Sequence, residues 1–228
     1  GITELAERSF FGTSRLYNEN TPLSKRNHFT IYNALPPGFS IVRENRSFVR
    51  PITIGVVSRL EEIKGMDLVV PAFAQVKKRY PDTRLVIVGE GSLRVKMQRQ
   101  VQECDCTDNV EWAGRQPQER LMEWYRRMDI VLMPSRSEGF GLTAIEAMAN
   151  GCVVVASRTG GLPEVVQDGE VGLLHEVGSI DDMANKIISL IATPELLQKY
   201  SSEAIRYVRR YSFERYSQLF NGLYKRII

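Results

Sequence analysis

Cysteine and histidine are almost missing from this chain: three cysteines (Cys104, Cys106, Cys152) and two histidines (His28, His175) in 228 residues. Three cysteines cannot build a disulfide framework, and Cys104-x-Cys106 without a second pair is poor spacing for zinc. The thiols are therefore expected to be reduced, in a cytosolic protein. Each histidine stands alone and reads as a packed or surface residue rather than a catalyst. A charge excess is lacking too, since 30 Lys and Arg against 27 Asp and Glu leave only +3. No basic block stands apart from acids, which excludes nucleic acid as the expected partner. No apolar run approaches the ~18 residues that would suggest a membrane span, and no secretory leader opens the chain. The expected location is cytoplasmic, with no transmembrane segment; peripheral attachment at the cytoplasmic membrane is left to a full-length protein. Repeats, low-complexity tracts and metal-ligand clusters are also missing. So is an initiator methionine: Gly1 stands first, and the chain reads as processed, tagged or excised from something longer.

What is present is ordinary in bulk, with 43% hydrophobic and 25% charged residues, and fits one large domain with appendages. Residues 1–50 read differently from the rest. They carry the turn clusters Asn18-Glu19-Asn20-Thr21-Pro22 and Pro36-Pro37-Gly38, a short helix at 3–10, and one apolar piece, Phe29–Asn33, with strand character. So long an irregular stretch is unusual inside a domain, so 1–50 reads as an interdomain linker or the tail of a missing N-terminal domain.

From Pro51 a regular alternation begins. Strand-like runs at 52–57, 84–89, 109–113, 129–133, 152–156 and 171–174 are separated by helical stretches at 66–79, 93–104, 118–126 and 141–150. Near-continuous Val/Ile runs between helices imply an α/β fold: a Rossmann-like, doubly wound parallel sheet of about six strands. Such sheets bind ligands beyond the carboxyl ends of their strands. After Ile180 the chain turns helical, and its last stretch shows an apolar stripe of Phe213, Tyr216, Leu219, Phe220, Leu223, Tyr224 and Ile227. The expected division is 51–210 for the sheet domain and 211–228 for a C-terminal helix.

The strand ends carry the chemistry. Past the fourth run, Ser137-Glu138-Gly139-Phe140-Gly141-Leu142 leads into a helix that contains Glu146. A glycine-bracketed loop opening a helix aims backbone N–H groups and the dipole's positive end at an anion. Two carboxylates in the same place would repel a bare phosphate. A ligand with both phosphate and neutral hydroxyls, such as a nucleotide sugar, resolves that conflict. Past the first run, Arg59 and Lys64 supply cations suited to a diphosphate, where charge-assisted bonds are worth about 1.5–3 kcal/mol each. Gly89-Glu90-Gly91 lets backbone approach a ligand closely. Gly114-Arg115 is placed to frame a base, and Gly160-Gly161-Leu162-Pro163-Glu164 makes a further glycine-rich turn. A glycosidase acid–base pair of Glu138 and Glu146 fits poorly with the parallel sheet and the cations. A nicotinamide-binding domain would need G-x-G-x-x-G after the first strand, where Ser58-Arg59-Leu60-Glu61 stands instead.

The run Ser137-Glu138-Gly139-Phe140-Gly141-Leu142-x3-Glu146-Ala147-Met148-Ala149-x-Gly151, with Gly160-Gly161-x-Pro163-Glu164 and Gly169-x2-Gly172, closely resembles the C-terminal half of retaining GT-B glycosyltransferases of family four. The resemblance extends to Gly55-x2-Ser58-Arg59-Leu60, Lys64-Gly65 and Val88-Gly89-Glu90-Gly91, and so covers residues 52–175 in order. Ile31-Tyr32-Asn33-Ala34 looks like the strand entering that half, although the Asn-Gly-Val-Asp that usually follows is replaced by Asn33-Ala34-Leu35-Pro36-Pro37.

The resemblance implies roles residue by residue. Glu146, the second acid of E-x7-E, would accept hydrogen bonds from the nucleotide ribose. Glu138 would hold the donor sugar, and Arg59 with Lys64 would neutralise the departing diphosphate. Amides near Phe140, Gly141 and Leu142 would bind the distal phosphate. It further implies a metal-independent transferase without cofactor, whose substrate is a nucleoside-diphosphate sugar and whose acceptor, a saccharide or lipid, is out of view. The acceptor-binding half would be the missing N-terminal domain, to which the helix at 211–228 would cross back. The expected function is thus the donor-binding half of a retaining glycosyltransferase, inactive on its own. The competing expectation is a nucleotide-sugar-binding module with a regulatory or assembly role.

Overall fold

The Val/Ile runs become parallel strands because both of their faces are apolar and both must be covered. The computed structural model describes residues 2–18, 20, 28–42 and 46–227. Within them lie β1 (Thr53–Val57), β2 (Arg84–Val88), β3 (Val110–Gly114), β4 (Ile130–Met133), β5 (Val153–Ser157) and β6 (Gly172–His175). They form one six-stranded sheet in the order β3-β2-β1-β4-β5-β6, with every neighbouring pair parallel. The order reverses between β1 and β4, and at such a switch point the flanking loops diverge and leave a crevice at the strands' carboxyl ends.

The helices are α1 (Glu4–Phe11), α2 (Met66–Arg79), α3 (Arg94–Glu103), α4 (Leu121–Arg126), α5 (Leu142–Ala149), α6 (Leu162–Val165), α7 (Ile180–Ala192), α8 (Pro194–Val208) and α9 (Phe213–Ile227). Alternate residues of each strand feed two separate cores, as the two-residue side-chain period demands. Ile54, Val56, Leu85, Ile87, Ile130, Leu132, Val153 and Val155 pack with α2, α3 and α7 on one face. Val57, Val86, Val88, Val131, Met133, Val154 and Ala156 pack with α4, α5, α6 and α8 on the other.

The described residues among the first fifty pack onto this sheet domain. The Leu35 amide donates to the Tyr211 carbonyl and the Val42 amide to that of Ala149, and the side chains of Tyr17 and Leu35 are buried. Helix α1 forms where the sequence expects one. It is capped by Thr3, whose hydroxyl accepts the Ala6 amide, and closed by Gly12 in a left-handed conformation. The strand expected at Phe29–Asn33, and at Ile31–Ala34 by resemblance, does not form. Thr30 makes one bridge to Leu16, and the side chains of Phe29 and Tyr32 turn instead to aromatic contacts with Tyr17, Phe140 and Tyr211. The turn expected at 18–22 lies, at Glu19, Thr21 and Pro22, outside the described residues. The stretch expected as one helix at 118–126 divides into a 3-10 turn at Gln118–Arg120 and α4.

Candidate functional site

A cleft of about 590 Å³ opens at the switch point, lined by the loops that follow β1, β2 and β3 and by the first turns of α5. Its walls include Ser58, Arg59, Gly89, Glu90, Gly91, Arg115, Gln116, Gln118, Leu121, Leu142, Thr143 and Glu146. Five residues singled out from sequence therefore meet in one cavity: Arg59, Gly89, Arg115, Leu142 and Glu146. They come from segments up to 87 positions apart in the chain (59 to 146), and only the doubly wound topology brings them together. Gly89 can hold its place because it has no side chain. It sits at φ +138°, and a Cβ there would lie 1.8 Å from the Ser58 carbonyl oxygen.

Glu146 projects from the second turn of α5 and is only 6% exposed. Its two oxygens are held separately: the Tyr125 hydroxyl donates to Oε2 at 2.8 Å, and the Gln118 side-chain amide donates to Oε1 at 3.1 Å. Burial pushes its carboxyl above the usual range, and those two hydrogen bonds act against that shift. Helix α5 has no side-chain cap, and Leu142 at its start is 43% exposed and lines the cleft. Uncapped amides at a helix N-terminus are a site for an anion. Arg59 is exposed and engaged in no ion pair among the described residues.

Lys64 and Glu138 do not line this cavity. They form an ion pair with each other, Lys64 Nζ donating to Glu138 Oε2 at 2.8 Å. The Ser135 hydroxyl reaches the same oxygen at 3.4 Å, and the Gly139 amide reaches Oε1 at 3.2 Å. The loop that carries Glu138 is docked onto the first turn of α2: Arg136 makes a two-pronged bond to Asp67 at 2.7 and 2.9 Å. That guanidinium holds the Asp67 carboxyl below its usual range. On the other side Gly160 and Gly161 press on the loop. The Gly161 amide donates to the Glu138 carbonyl at 3.1 Å, and the approach at Gly160 is close enough that a Cβ would lie 1.7 Å from that oxygen. Phe140 turns its ring into the core against Tyr32 and Tyr211, while Gly141 starts α5 at φ +103° against Leu162.

Three features of this site escape a reading by sequence. Tyr125 and Gln118 hold Glu146 across 21 and 28 residues, and no local pattern marks them. Thr143, which no sequence motif marks, also lines the cleft. Among the described residues no three His, Cys, Asp or Glu side chains gather as a metal-ligand set. No helix among the described residues is long and apolar enough to cross a membrane.

Residues 40–207 match the family model described as glycosyl transferases group 1. A D-inositol 3-phosphate glycosyltransferase of Segniliparus rotundus is 36% identical over 165 residues, which are 71% of this chain and 37% of that protein. Among solved structures, S. aureus TarM in complex with fondaparinux, alpha-GlcNAc-glycerol and UDP superposes with a TM-score of 0.76 at 27% identity, over 88% of this chain and 40% of that one. The C-terminal domain of a Francisella tularensis glycosyl transferase group 1 protein, LpcC, does so with a TM-score of 0.69 at 30% identity, over 77% of this chain and 96% of that domain. The chain thus spans well under two thirds of the length of the curated relatives it matches.

Proposed function

The chain belongs to the glycosyl transferases group 1, and from that premise we propose that it is the donor-binding half of an enzyme moving a sugar from a nucleoside diphosphate to a hydroxyl acceptor with retained anomeric configuration. The observation that carries this reading is the meeting, in one cleft, of a buried carboxylate with an exposed arginine and an uncapped helix N-terminus. A carboxylate suits vicinal hydroxyls, while amides and a guanidinium suit phosphate. In this reading Glu146 takes the ribose, Arg115 borders the base, and the amides at Phe140, Gly141 and Leu142 take the distal phosphate. TarM was solved with UDP, which supports a nucleotide as the kind of ligand.

The chemistry follows from charge. When the bond between the anomeric carbon and the diphosphate oxygen breaks, the electron pair leaves on the diphosphate. In this reading Arg59, Lys64 and the α5 N-terminus would stabilise that charge. In the same reading Glu138, paired with Lys64, would take the hydroxyls of the donor sugar. Donor binding would then exchange the Lys64–Glu138 pair for contacts to phosphate and to sugar hydroxyls. The acceptor site is assigned to the part of the longer protein that its relatives possess beyond the matched region, with α9 reaching toward it.

Thermal-shift titration with UDP, GDP and ADP tests the reading. One of them at about a hundred times its Kd should stabilise the chain by ~2.7 kcal/mol, or roughly 5 °C or more. Glu146→Ala should abolish most of that shift. Binding by Glu146→Ala as tight as wild type for every nucleotide would remove the ribose assignment.

A further inference from the structure

We propose that Tyr125 is a positioning residue for donor binding: with Gln118 it fixes the Glu146 carboxylate in one orientation, ionised and with its remaining lone pairs turned to the cleft. This rests on the reading of Glu146 as the ribose acceptor.

The stoichiometry of the carboxylate carries the argument. An ionised carboxylate offers about four lone-pair directions. Tyr125 takes one on Oε2 and Gln118 takes one on Oε1. One on each oxygen is left over, which is what two adjacent hydroxyls of a ribose require. The clamp therefore leaves a two-pronged acceptor rather than a satisfied group.

Tyr125 is built to hold still. It is fully buried, and its ring meets Phe39 edge-on at 6.2 Å. Its carbonyl is held by Cys152 Sγ at 3.1 Å and Arg46 at 3.3 Å. The Thr143 hydroxyl lies beside the phenol oxygen and also reaches the Val57 carbonyl at 3.4 Å. A fixed phenol in an apolar pocket is a donor that cannot be exchanged for water. Glu146 needs such donors because no cation lies within ion-pair distance of it among the described residues. The groups that face it are Tyr125 and Gln118, from α4 and the turn before it, and Thr143 on α5. Arg59, Arg115 and Glu90, the last paired with Arg94, are the charged side chains across the cleft. Burial raises the Glu146 carboxyl, and the Tyr125 and Gln118 bonds pull it back. Removing the phenol hydroxyl moves it further up, so more of it is protonated near neutral pH and fewer acceptor sites remain.

The test compares pH profiles of affinity for UDP-glucose and GDP-mannose, whose diphosphate diesters do not titrate between pH 5 and 8. Wild type should lose affinity as pH falls through the Glu146 pKa. Tyr125→Phe should bind about tenfold more weakly at pH 7, with its fall-off displaced upward by about one pH unit. Gln118→Met, less buried and safer to fold, should displace the profile in the same direction. Glu146→Gln should bind weakly without pH dependence. A folded Tyr125→Phe with wild-type affinity and profile overturns the proposal; if that variant does not fold, an unchanged profile in Gln118→Met does so. Glu146→Gln with wild-type affinity at every pH overturns the ribose assignment itself and the proposal with it.

Discussion

At Gly160 one methyl group decides whether the Glu138 loop can exist in its present form. The residue sits at φ +53°, and a Cβ would lie 1.7 Å from the Glu138 carbonyl oxygen, a backbone atom with no rotamer to escape into. Gly169 is the natural control: φ is +77° there, but nothing lies within 4 Å of a Cβ. Gly169→Ala is expected to cost about 1 kcal/mol, the left-handed strain alone. Gly160→Ala adds a clash and is expected to cost about 2–4 kcal/mol. Urea unfolding of the two variants measures the difference, and equal costs would show that the loop yields freely. The same scale shows where reading by sequence stops. Gly160 and Glu138 were both visible as motif residues, yet their contact was not. Nor was the Lys64–Glu138 pair, because the two residues are 74 positions apart and meet only when β1 and β4 lie side by side.

Helix α1 shows what an element inherits from distant residues. It runs for eight residues, too few to be stable alone. It turns Glu7 inward and leaves Leu5, Phe10 and Phe11 exposed. Two features hold it. Glu7 is buried with the Thr30 hydroxyl, the Arg15 amide and His28 around its carboxylate. Burial works to raise that carboxyl, but these bonds outweigh burial and hold it below its usual range. At the helix N-terminus, Glu164 takes the amides of Glu4 and Leu5 at 2.9 and 2.8 Å, so a carboxylate from α6 completes the cap and meets the helix dipole. Glu164→Ala should therefore cost about 1 kcal/mol, concentrated in α1. Hydrogen exchange should show the α1 amides opening about fivefold faster, with those of β4 unchanged; uniform acceleration would mean that Glu164 supports the whole fold instead. The central elements were legible because β1, β2, β4 and β5 are apolar runs rich in Val and Ile and the helices between them repeat an apolar period. At Phe29–Asn33 the composition suggested a strand, and aromatic packing by Phe29 and Tyr32 prevailed over ladder formation.

For the whole molecule, the sheet separates two cores, and its buried titratable groups make stability depend on pH in opposite directions. His175 ends β6 fully buried. Its Nδ1 faces the Glu176 carbonyl at 2.9 Å, an acceptor only, so Nδ1 carries the proton. Nε2 is buried without a hydrogen-bond partner among the described residues, and protonating it would place an unsatisfied N–H in the core. Burial accordingly lowers its pKa. A histidine lowered in the folded state binds its proton first in the unfolded chain. Its neutral form thus favours folding fully above the unfolded pKa of about 6.5, and that contribution falls as pH drops. Glu146 and Asp129 act oppositely: burial raises both, so in mild acid the folded state takes up their protons first and gains stability. Asp67, held low by Arg136, loses its contribution only at still lower pH. Just below pH 6.5 the histidine contributes a fall of up to about 1.4 kcal/mol per pH unit, opposed by what Glu146 and Asp129 add. Urea unfolding of wild type should show stability falling over that range. His175→Phe, which cannot take a proton, should flatten the slope or reverse it as Glu146 and Asp129 act alone. An identical slope in the variant would place the acid sensitivity elsewhere in the fold.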